Sequence, residues 1–439
     1  MRRTFRESLS KAWMPAGTFS KEEMMGEIRR TSGIACATAL LCGAAVQAGQ
    51  LTFKSESGDL SGEFGGRVIV HGRFFTDANV KEDTFYWKEL FIDTKGKINK
   101  VFEYKVEGNF GGTTASLADG WMAWKMNDMF RMQFGQFKLP FLFEETSSAS
   151  TSNFPERPLI DRLAPGRDLG IQFNGDIIEG GAVSYAAGMS NGSGINTTDT
   201  NDSKEFFGQA RCLPFKLMDM DDMGDLQLAV SGTHGSQRND TPSAMTDITD
   251  PSTGTTVVDF QGTTVAFGAR DRVGYEALWA GGPASITYEY VRMDQNIQRN
   301  YAGGDPGTLK QDRVRFNAWY FGGTYFLTGE DKKLGSLPKV KDPVSAGGWG
   351  ALEVAARYGF FNPDQKLLHN FPTDSYTVSP TTAAKVTEIF LGVNYYPVNA
   401  VRFTLSWVMN DFSNDLDEGL EGRTQGHESA IITRMQIMF

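Results

Sequence analysis

Arginine and lysine side chains recur at alternate positions of strand-like segments along this chain. A guanidinium group can hold an oxyanion by two parallel hydrogen bonds and keeps its charge, so that a series of such groups could pass anions from site to site. Alternation places nine basic side chains on the polar faces of these segments: Arg67, Arg73, Lys105, Arg131, Arg313, Arg315, Arg357, Arg402 and Arg434. The six from Arg131 to Arg434 are predicted anion-pathway residues. Four acidic side chains fall on the same faces: Glu103, Glu107, Glu289 and Glu353. Paired charges that only keep a wall polar are therefore an alternative interpretation.

Residues suited to catalysis are sparse. The chain has only four histidines, and it contains no HExxH or CxxC motif. We expect no enzyme activity, no metal and no cofactor.

The C-terminal segment shows which element carries the basic residues. In residues 428–439, Ile431, Met435 and Ile437 alternate with Arg434 and Gln436, and the last residue is aromatic. Successive side chains of a strand point to opposite sides, so one face of this strand is apolar and the other is polar. A transmembrane barrel needs this arrangement, with apolar side chains outside and polar ones in the lumen. The same alternation recurs in segments near residues 102–107, 130–134, 286–290, 313–320, 352–358, 391–395 and 402–409.

The N-terminal region has the features of a secretory signal. Arg29 and Arg30 precede an apolar run over residues 33–46, and a small-x-small pattern follows that predicts cleavage after Ala48. The run is shorter than the roughly 20 residues that a transmembrane helix needs. We therefore expect residues 1–48 to be a signal region, with the natural start at Met24 or Met25, and residues 49–439 to be the mature domain.

Composition agrees with a secreted barrel. Of 43 basic and 53 acidic side chains, residues 1–48 hold seven and four, which leaves 36 and 49, a net charge of −13. This acidic balance argues against a nucleic-acid partner. Cys212 is the only cysteine after the predicted cleavage, so the mature chain has no internal disulfide.

The predicted fold class is all-β, a transmembrane antiparallel β-barrel in the bacterial outer membrane. Strands of about ten residues and long polar loops give about 16 strands, or 18. A soluble β-sandwich or propeller is the alternative, but the aromatic outer faces and the signal argue against it.

Several motifs, in their order along the chain, resemble one known family. They are residues 135–141 (GQFKLPF), 156–157 (ER), 165–170 (PGRDLG), 325–330 (YFLTGE), 348–358 (GWGALEVAARY) and 391–397 (LGVNYYP). Together they resemble the phosphate-selective porins O and P, and the likeness extends from about residue 62 to residue 439. The resemblance implies a 16-stranded barrel, usually a homotrimer, that passes anions through a channel narrowed by inward-folded loops.

The resemblance also implies that a segment near residues 136–168 folds inward as a constriction. Four prolines prevent this segment from being a regular strand throughout. Its basic residues are further predicted anion-pathway residues: Lys138, Arg157, Arg162 and Arg167. Five acidic residues lie in the same segment. Arg157 and Arg167 lie in matched motifs and are expected to line or brace the loop. Ion pairs that fix the loop to the wall are the alternative.

These observations predict an outer-membrane porin that passes small anions, with phosphate or polyphosphate as substrates, by passive diffusion. Expected partners are small anions, membrane lipid and lipopolysaccharide, and two further copies of the chain. A general or cation-preferring porin and a non-conducting structural barrel remain alternatives, since acidic loops could concentrate cations at the mouth.

Overall fold

The structure is a computed structural model that describes residues 51–76, 81–199, 201–237, 245–299, 310–368, 375–378, 385–413 and 426–439. The predicted signal region, residues 1–48, lies outside the described residues. In the described part of the chain no helix is long and apolar enough to cross a membrane.

Strands make up most of the described chain, and the helices are single turns. The strands are β1 (Leu51–Lys54), β2 (Leu60–Phe75), β3 (Thr84–Ile98), β4 (Phe102–Asn109), β5 (Ser116–Lys125), β6 (Arg131–Lys138), β7 (Arg167–Asp176), β8 (Val183–Ser190), β9 (Glu205–Cys212), β10 (Asp225–Ser236), β11 (Ile248–Thr249), β12 (Thr256–Val258), β13 (Thr264–Gly281), β14 (Ala284–Arg299), β15 (Lys310–Phe326), β16 (Ala351–Pro363), β17 (Lys385–Val398), β18 (Val401–Ser413) and β19 (His427–Met438). The α-helical turns are α1 (Phe143–Thr146) and α2 (Pro214–Leu217), and the 3-10 turns are Leu159–Arg162, Glu179–Gly181, Asp221–Met223, Val344–Ala346 and Gln365–Leu368.

Sixteen of these strands form one closed antiparallel barrel. Each of β2 to β9 pairs with the next strand, β10 pairs with β13, and β13 to β19 continue in chain order. The barrel closes where β19 pairs with β2, with Ala430 opposite Phe75 and Met438 opposite Arg67. β1 lies against β2, while β11 and β12 form a separate small sheet. The prediction of about 16 strands is confirmed.

Alternation assigns the two faces of the barrel wall. On β18 and β19, Phe403, Leu405 and Met435 are exposed on the outer face, whereas Arg402 and Gln436 are buried on the inner face. An exposed apolar band of this kind is the surface that lipid covers in a transmembrane barrel. The predicted faces of the C-terminal strand are therefore correct.

The two ends of the barrel differ in the length of their connections. At one end β3 and β4 are joined through Asn99 and Lys100, both with positive φ, and β13 and β14 through Gly282 and Pro283. Such tight turns match the twist of paired strands. The long connections lie at the other end, which in transmembrane barrels is the extracellular end. One long segment, residues 327–350, joins β15 to β16 at the turn end.

The interior is packed on one side. Buried apolar side chains of β14 to β16 point inward and form a core with residues of the β6–β7 connection and of the 245–260 segment. Members of this core include Leu159, Ile160, Leu163, Phe260, Val291, Val314, Phe316, Ala318 and Phe361. An apolar interior of this extent leaves the inner faces of the early strands as the polar side of the lumen.

Candidate functional site

Residues 139–166, which connect β6 to β7, lie inside the barrel, and we call them the inner loop. Phe141 is fully buried among inward side chains of the later strands, and Phe154 packs edge-on against Phe390 with ring centroids 5.3 Å apart. The segment predicted as a constriction thus folds inward. Its flanks, residues 136–138 and 167–168, belong to β6 and β7.

Three predicted anion-pathway arginines hold the backbone of the inner loop. Arg357 donates a hydrogen bond to one loop carbonyl at 2.8 Å, Arg402 to one at 2.7 Å, and Arg434 to two at 2.9 and 2.6 Å. The accepting carbonyls belong to Glu156, Ser152, Ala149 and Pro155. All three arginines are nearly inaccessible to solvent. Their inward orientation was predicted correctly, and their contacts fasten the loop to the wall.

Arg357 is also surrounded by side chains. Its Nε donates to Glu388 at 2.7 Å, and its guanidinium lies 4.7 Å from the ring centres of Phe154 and Phe390. A cation between two aromatic faces gains from both ring quadrupoles. Arg357 therefore joins the polar and apolar attachments of the inner loop at one point.

Glu156 is the acidic attachment on the other side of the loop. Its carboxylate accepts hydrogen bonds from His71 at 2.9 Å, from Tyr86 at 2.7 Å, and from Lys88. Burial opposes ionisation of Glu156, but Lys88 and His71 outweigh it and hold the pKa of this carboxyl well below its usual range. The loop is therefore fixed by an ionised carboxylate as well as by arginines.

Arg157 and Lys138 lie on the loop side of the passage. Arg157 donates to Glu145 and Asp161, both at 2.7 Å, and to the Ser147 carbonyl at 2.9 Å. Lys138 donates to the carbonyls of Glu145 at 2.5 Å and Ser147 at 2.8 Å. Both predicted site residues thus brace the turn that contains α1, in agreement with the bracing alternative for Arg157.

Two carboxyl groups beside Arg157 have pKa values shifted in opposite directions. Burial raises the pKa of Glu145 to about 8. Burial also opposes ionisation of Asp161, but the charge of Arg157 and the hydrogen bond from Glu145 outweigh it, so its pKa lies well below its usual range. Glu145 is therefore mostly neutral near pH 7, and the 136–168 segment is less acidic than its composition indicates.

The inner face of the early strands carries a network of charges, which we call the wall network. It consists of Arg67 on β2, Lys105 and Glu107 on β4, Asp119 on β5 and Arg167 on β7. Arg67 bonds Glu107 at 3.0 Å, and Lys105 bonds Asp119 at 2.5 Å and Glu107 at 3.1 Å. Arg167 bonds Asp119 at 2.7 Å and Glu107 at 3.2 Å. Two carboxylates therefore organise three cations.

The basic members of the wall network are the more accessible ones. The side chains of Lys105, Arg167 and Arg67 are 22%, 17% and 12% exposed. Those of Glu107 and Asp119 are only 2% and 8% exposed. The carboxylates thus lie beneath the cations, and the surface offered to a solute in the lumen is basic. Two acidic neighbours of the network are themselves accessible: Glu89, which pairs with Arg67 at 2.5 Å and is 16% exposed, and the half-buried Asp93, which lines the same cavity as Arg67 and Lys105.

Arg131, another predicted site residue, lies on the same wall nearer the turn end. Its Nε donates to Glu103 at 2.8 Å, and its Nη1 donates to Gln133 at 2.6 Å. Its guanidinium also lies 5.0 Å from the ring centre of Trp121. Since Glu103 is as accessible as Arg131, this pair contributes little net charge to the lumen.

Two cavities lie at the ends of the lumen. The turn-end cavity, of about 520 Å³, is lined by Arg67 and Lys105 of the wall network and by Ser148 and Ser150 of the inner loop. The loop-end cavity, of about 390 Å³, has three basic and two acidic residues in its lining: Arg162, Arg270, Arg272, Asp168 and Glu205. Each cavity has the inner loop on one side and early strands or their loops on another.

The loop-end cavity contains two basic residues that the sequence analysis did not identify. Arg270 and Arg272 both form ion pairs with Glu205, and Arg162, a predicted site residue, extends its guanidinium to the Thr249 carbonyl at 3.0 Å. Alternation from Arg272 through Gly274 to Glu276 was a usable signal for Arg272. Arg270 lies beside a register irregularity of β13, so alternation did not apply there.

The predicted inward orientation of Arg313 and Arg315 is wrong. Both lie on the outer face of β15, about half exposed, and Phe321 and Tyr325 share that face. The apolar residues that alternate with them look lipid-facing in sequence, but they point inward and pack against the inner loop: Val314, Phe316, Ala318 and Tyr320. Where the interior of the barrel is apolar, the apolar face of a strand points inward and its polar face points outward.

In the part of the chain that the structure describes, no three His, Cys, Asp or Glu side chains are grouped so as to hold a metal ion.

Comparison with known proteins extends these observations. The sequence profile of the family described as phosphate-selective porin O and P matches residues 70–439. Porin O of Pseudomonas aeruginosa is 22% identical over an alignment that covers 89% of this chain and 91% of that protein. OmpF of Salmonella typhi, solved in complex with daunomycin, is 11% identical, with a TM-score of 0.55 over 88% of this chain and 100% of that one. The trimer form of OmpT, an outer-membrane protein of Vibrio cholerae, is 13% identical, with a TM-score of 0.53 over 86% and 99%.

A closed barrel with an apolar outer band and a charged lumen narrowed by an inner loop defines an outer-membrane porin. The chain belongs to the family of phosphate-selective porins O and P, as its motifs indicated, and its place is the bacterial outer membrane.

Proposed function

We propose that this porin passes small anions by passive diffusion between the inner loop and the wall network. The observation that carries the proposal is the order of exposure, with Lys105 and Arg167 more accessible than the carboxylates of Glu107 and Asp119 beneath them. A solute in the lumen meets cations first. Where water is excluded and screening is weak, such a basic surface favours anions over cations.

The proposed path begins in the loop-end cavity at Arg162, Arg270 and Arg272. It passes Arg167 and ends in the turn-end cavity beside Lys105 and Arg67. Neighbouring cations of this series share carboxylate partners and keep some N–H groups available as hydrogen-bond donors. Transfer of an anion between successive weak sites requires such donors. Lys138 and Arg157 support the opposite side of the path. Arg357, Arg402 and Arg434 act on it only by holding the inner loop.

Phosphate and polyphosphate are the proposed preferred solutes. The family's description and the chemistry of arginine, which binds oxyanions by paired hydrogen bonds, support this substrate class. Its signature in a planar bilayer is a decrease of chloride current when micromolar to millimolar phosphate is added. A chloride current that does not change when phosphate is added contradicts the substrate assignment but not the anion preference.

The experiment for anion preference compares reversal potentials in a potassium chloride gradient. Replacing Lys105 and Arg167 by glutamine removes two cations and leaves Glu107 and Asp119 with fewer partners. We expect the reversal potential of K105Q/R167Q to move from the anion side toward zero or beyond it. R313Q/R315Q removes two cations from the outer face and serves as the matched control, with an unchanged reversal potential. Equal values for wild type and K105Q/R167Q contradict the proposed path.

Two other functions have some support. The mature chain's excess of acidic side chains favours a cation-preferring pore, and the apolar packing on one side of the lumen favours a barrel that does not conduct. A reversal potential on the cation side selects the first, and the absence of channels from a folded preparation selects the second.

We further propose that the protein assembles as a homotrimer and has no catalytic activity. The trimer form of the similar OmpT supports the assembly. Light scattering of the detergent-solubilised protein gives the mass of the protein component, and a value of one or two chains contradicts the trimer.

A further inference from the structure

A basic cluster lies on the outside of the barrel, away from the lumen. It contains Arg292 on β14 and Arg313 and Arg315 on β15, held by two aspartates. Asp294 accepts from Arg292 at 2.6 Å and from Arg315 at 2.7 Å, and Asp271 accepts from Arg313 at 2.5 Å. We call these five residues the outer cluster.

The arginines of the outer cluster face outward and the main aspartate lies beneath them. Arg315, Arg313 and Arg292 are 50%, 48% and 38% exposed, whereas Asp294 is 9% exposed. Among the described residues, Arg315 uses only its Nε in a side-chain hydrogen bond, to Asp294. Its terminal nitrogens therefore have no protein acceptor there, and a guanidinium in this state can hold a phosphoryl group by two parallel hydrogen bonds.

The height of the outer cluster corresponds to lipid headgroups at the extracellular side. Trp319 on β15 packs against Tyr358 on β16 with ring centres 5.7 Å apart, and Tyr275 packs against Tyr290 on the strands beside them. Aromatic girdles of this kind mark the membrane interface of transmembrane barrels. Arg315 precedes Trp319 by four residues, which is about 13 Å along a strand toward the loop end. The outer cluster thus lies just above the girdle.

An apolar groove begins on the turn-end side of the girdle, on the same strands. The groove has a volume of about 1,090 Å³, and its lining is almost entirely apolar. Small residues on β15, β16 and β17 form its floor: Gly323, Ala356 and Gly392. Larger side chains form its sides: Ile286, Phe321, Leu391 and Leu405. A concave strip of this size in the lipid-facing surface fits hydrocarbon chains better than a flat wall does.

We propose that the outer cluster and this groove together form a lipopolysaccharide site. The phosphoryl groups of lipid A bind Arg313 and Arg315, and an acyl chain of the same molecule lies in the groove. Charge complementarity and the continuity of headgroup site and groove on β14 to β16 select an anionic lipid as the occupant. The position at the loop end selects the lipid of the outer leaflet. This site is independent of the proposed conduction path, because the barrel wall separates the two.

The test measures lipopolysaccharide binding to the purified, folded protein by surface plasmon resonance. We expect R313Q/R315Q to bind at least tenfold more weakly than wild type. K333Q/K339Q removes two exposed lysines from the 327–350 segment at the turn end and is the matched control, with affinity within twofold of wild type. Unchanged single-channel conductance and an unchanged heat-modifiable gel band establish that R313Q/R315Q is folded.

A second variant tests the groove. Ala356→Phe places a ring on its floor, so the affinity for lipopolysaccharide should fall while the affinity of inorganic phosphate for the outer cluster stays the same.

Equal binding of wild-type and R313Q/R315Q protein overturns the proposal, as does equal binding of lipopolysaccharide before and after enzymatic removal of its phosphates. Equal affinity for phosphatidylglycerol vesicles overturns the assignment to lipopolysaccharide. A changed number of subunits in R313Q/R315Q, with lipid binding intact, overturns it in favour of a contact between copies of the chain.

Discussion

Arg167 and Arg402 point into the same barrel but meet different partners. Arg402 is 1% exposed and donates to the Ser152 carbonyl and to Gln436, so its charge is used to hold the inner loop. Arg167 is 17% exposed, and its partners Asp119 and Glu107 lie deeper in the wall. At the residue scale, the depth of the counter-charge separates structural arginines from those that a solute can reach.

Glu145 gives the residue scale a pH-dependent test. Its pKa is raised to about 8, so ionisation above that pH adds a negative charge beside Arg157, Asp161 and Lys138. Lys138 lies opposite Arg167 in the register of β6 and β7, so the new charge acts close to the proposed path. We expect the anion preference of wild type, measured as the reversal potential from pH 6 to 9.5, to fall above about pH 8.

The matched variant is Glu145→Gln, which stays neutral at every pH. Asp161 has a lowered pKa and is ionised throughout this range, so it does not add to the change. Burial lowers the pKa of Lys138 to about 8, so the loss of its positive charge accounts for the part of the pH dependence that E145Q keeps. The pH dependence should be clearly flatter in E145Q than in wild type. A profile with the same midpoint and amplitude in both proteins assigns the titration to another group.

The residue assignments show where alternation was sufficient and where it was not. For Arg402 and Arg434 it gave the correct face, because β18 and β19 have lipid on one side and polar groups on the other. It gave the wrong face for Arg313 and Arg315, because the inner side of β15 is apolar at that height. The roles of the inward arginines depend on which carbonyls the inner loop offers, and no local pattern contains that information.

At the element scale the inner loop is the part that shapes the lumen. It is held by apolar packing at Phe141 and Phe154, by three wall arginines, and by Glu156 with its partners on β2 and β3. The sequence predicted its inward path through the family resemblance and its prolines. Its boundaries were less accurate, since β6 and β7 extend pairing to Lys138 and Arg167.

Phe154→Ala tests this attachment. Phe154 is 4% exposed and packs against both Phe390 and the guanidinium of Arg357, so truncation should cost about 3–5 kcal/mol of packing free energy, as for other buried phenylalanines. The loop then loosens from the late strands. We expect a lower temperature for loss of the folded gel band and a larger or noisier single-channel conductance.

Phe134→Ala removes the same side chain from the outer face of β6, where Phe134 is 61% exposed, and is the matched control. Its conductance should equal that of wild type. If F154A loses stability but keeps the wild-type conductance, the inner loop does not limit the current.

At the scale of the whole molecule, the net charge and the proposed function favour ions of opposite sign. The mature chain has a formal charge of −13 after the predicted cleavage, yet the accessible side of the wall network is basic. Charges separated by more than about 8 Å of physiological salt solution are largely screened, so acidic groups on outer loops act weakly on the narrow part of the lumen. The overall barrel was predictable because strand alternation repeats through the chain. The selectivity was not, because it depends on which member of each ion pair lies nearer the solute.

The most direct measurement is the reversal potential of the purified wild-type porin in a planar bilayer, with a tenfold potassium chloride gradient across it. Cations above buried carboxylates on the channel wall predict a reversal potential on the chloride side of zero. A reversal potential on the potassium side, from channels of a correctly folded barrel, would contradict the central claim that the wall network makes this an anion pathway.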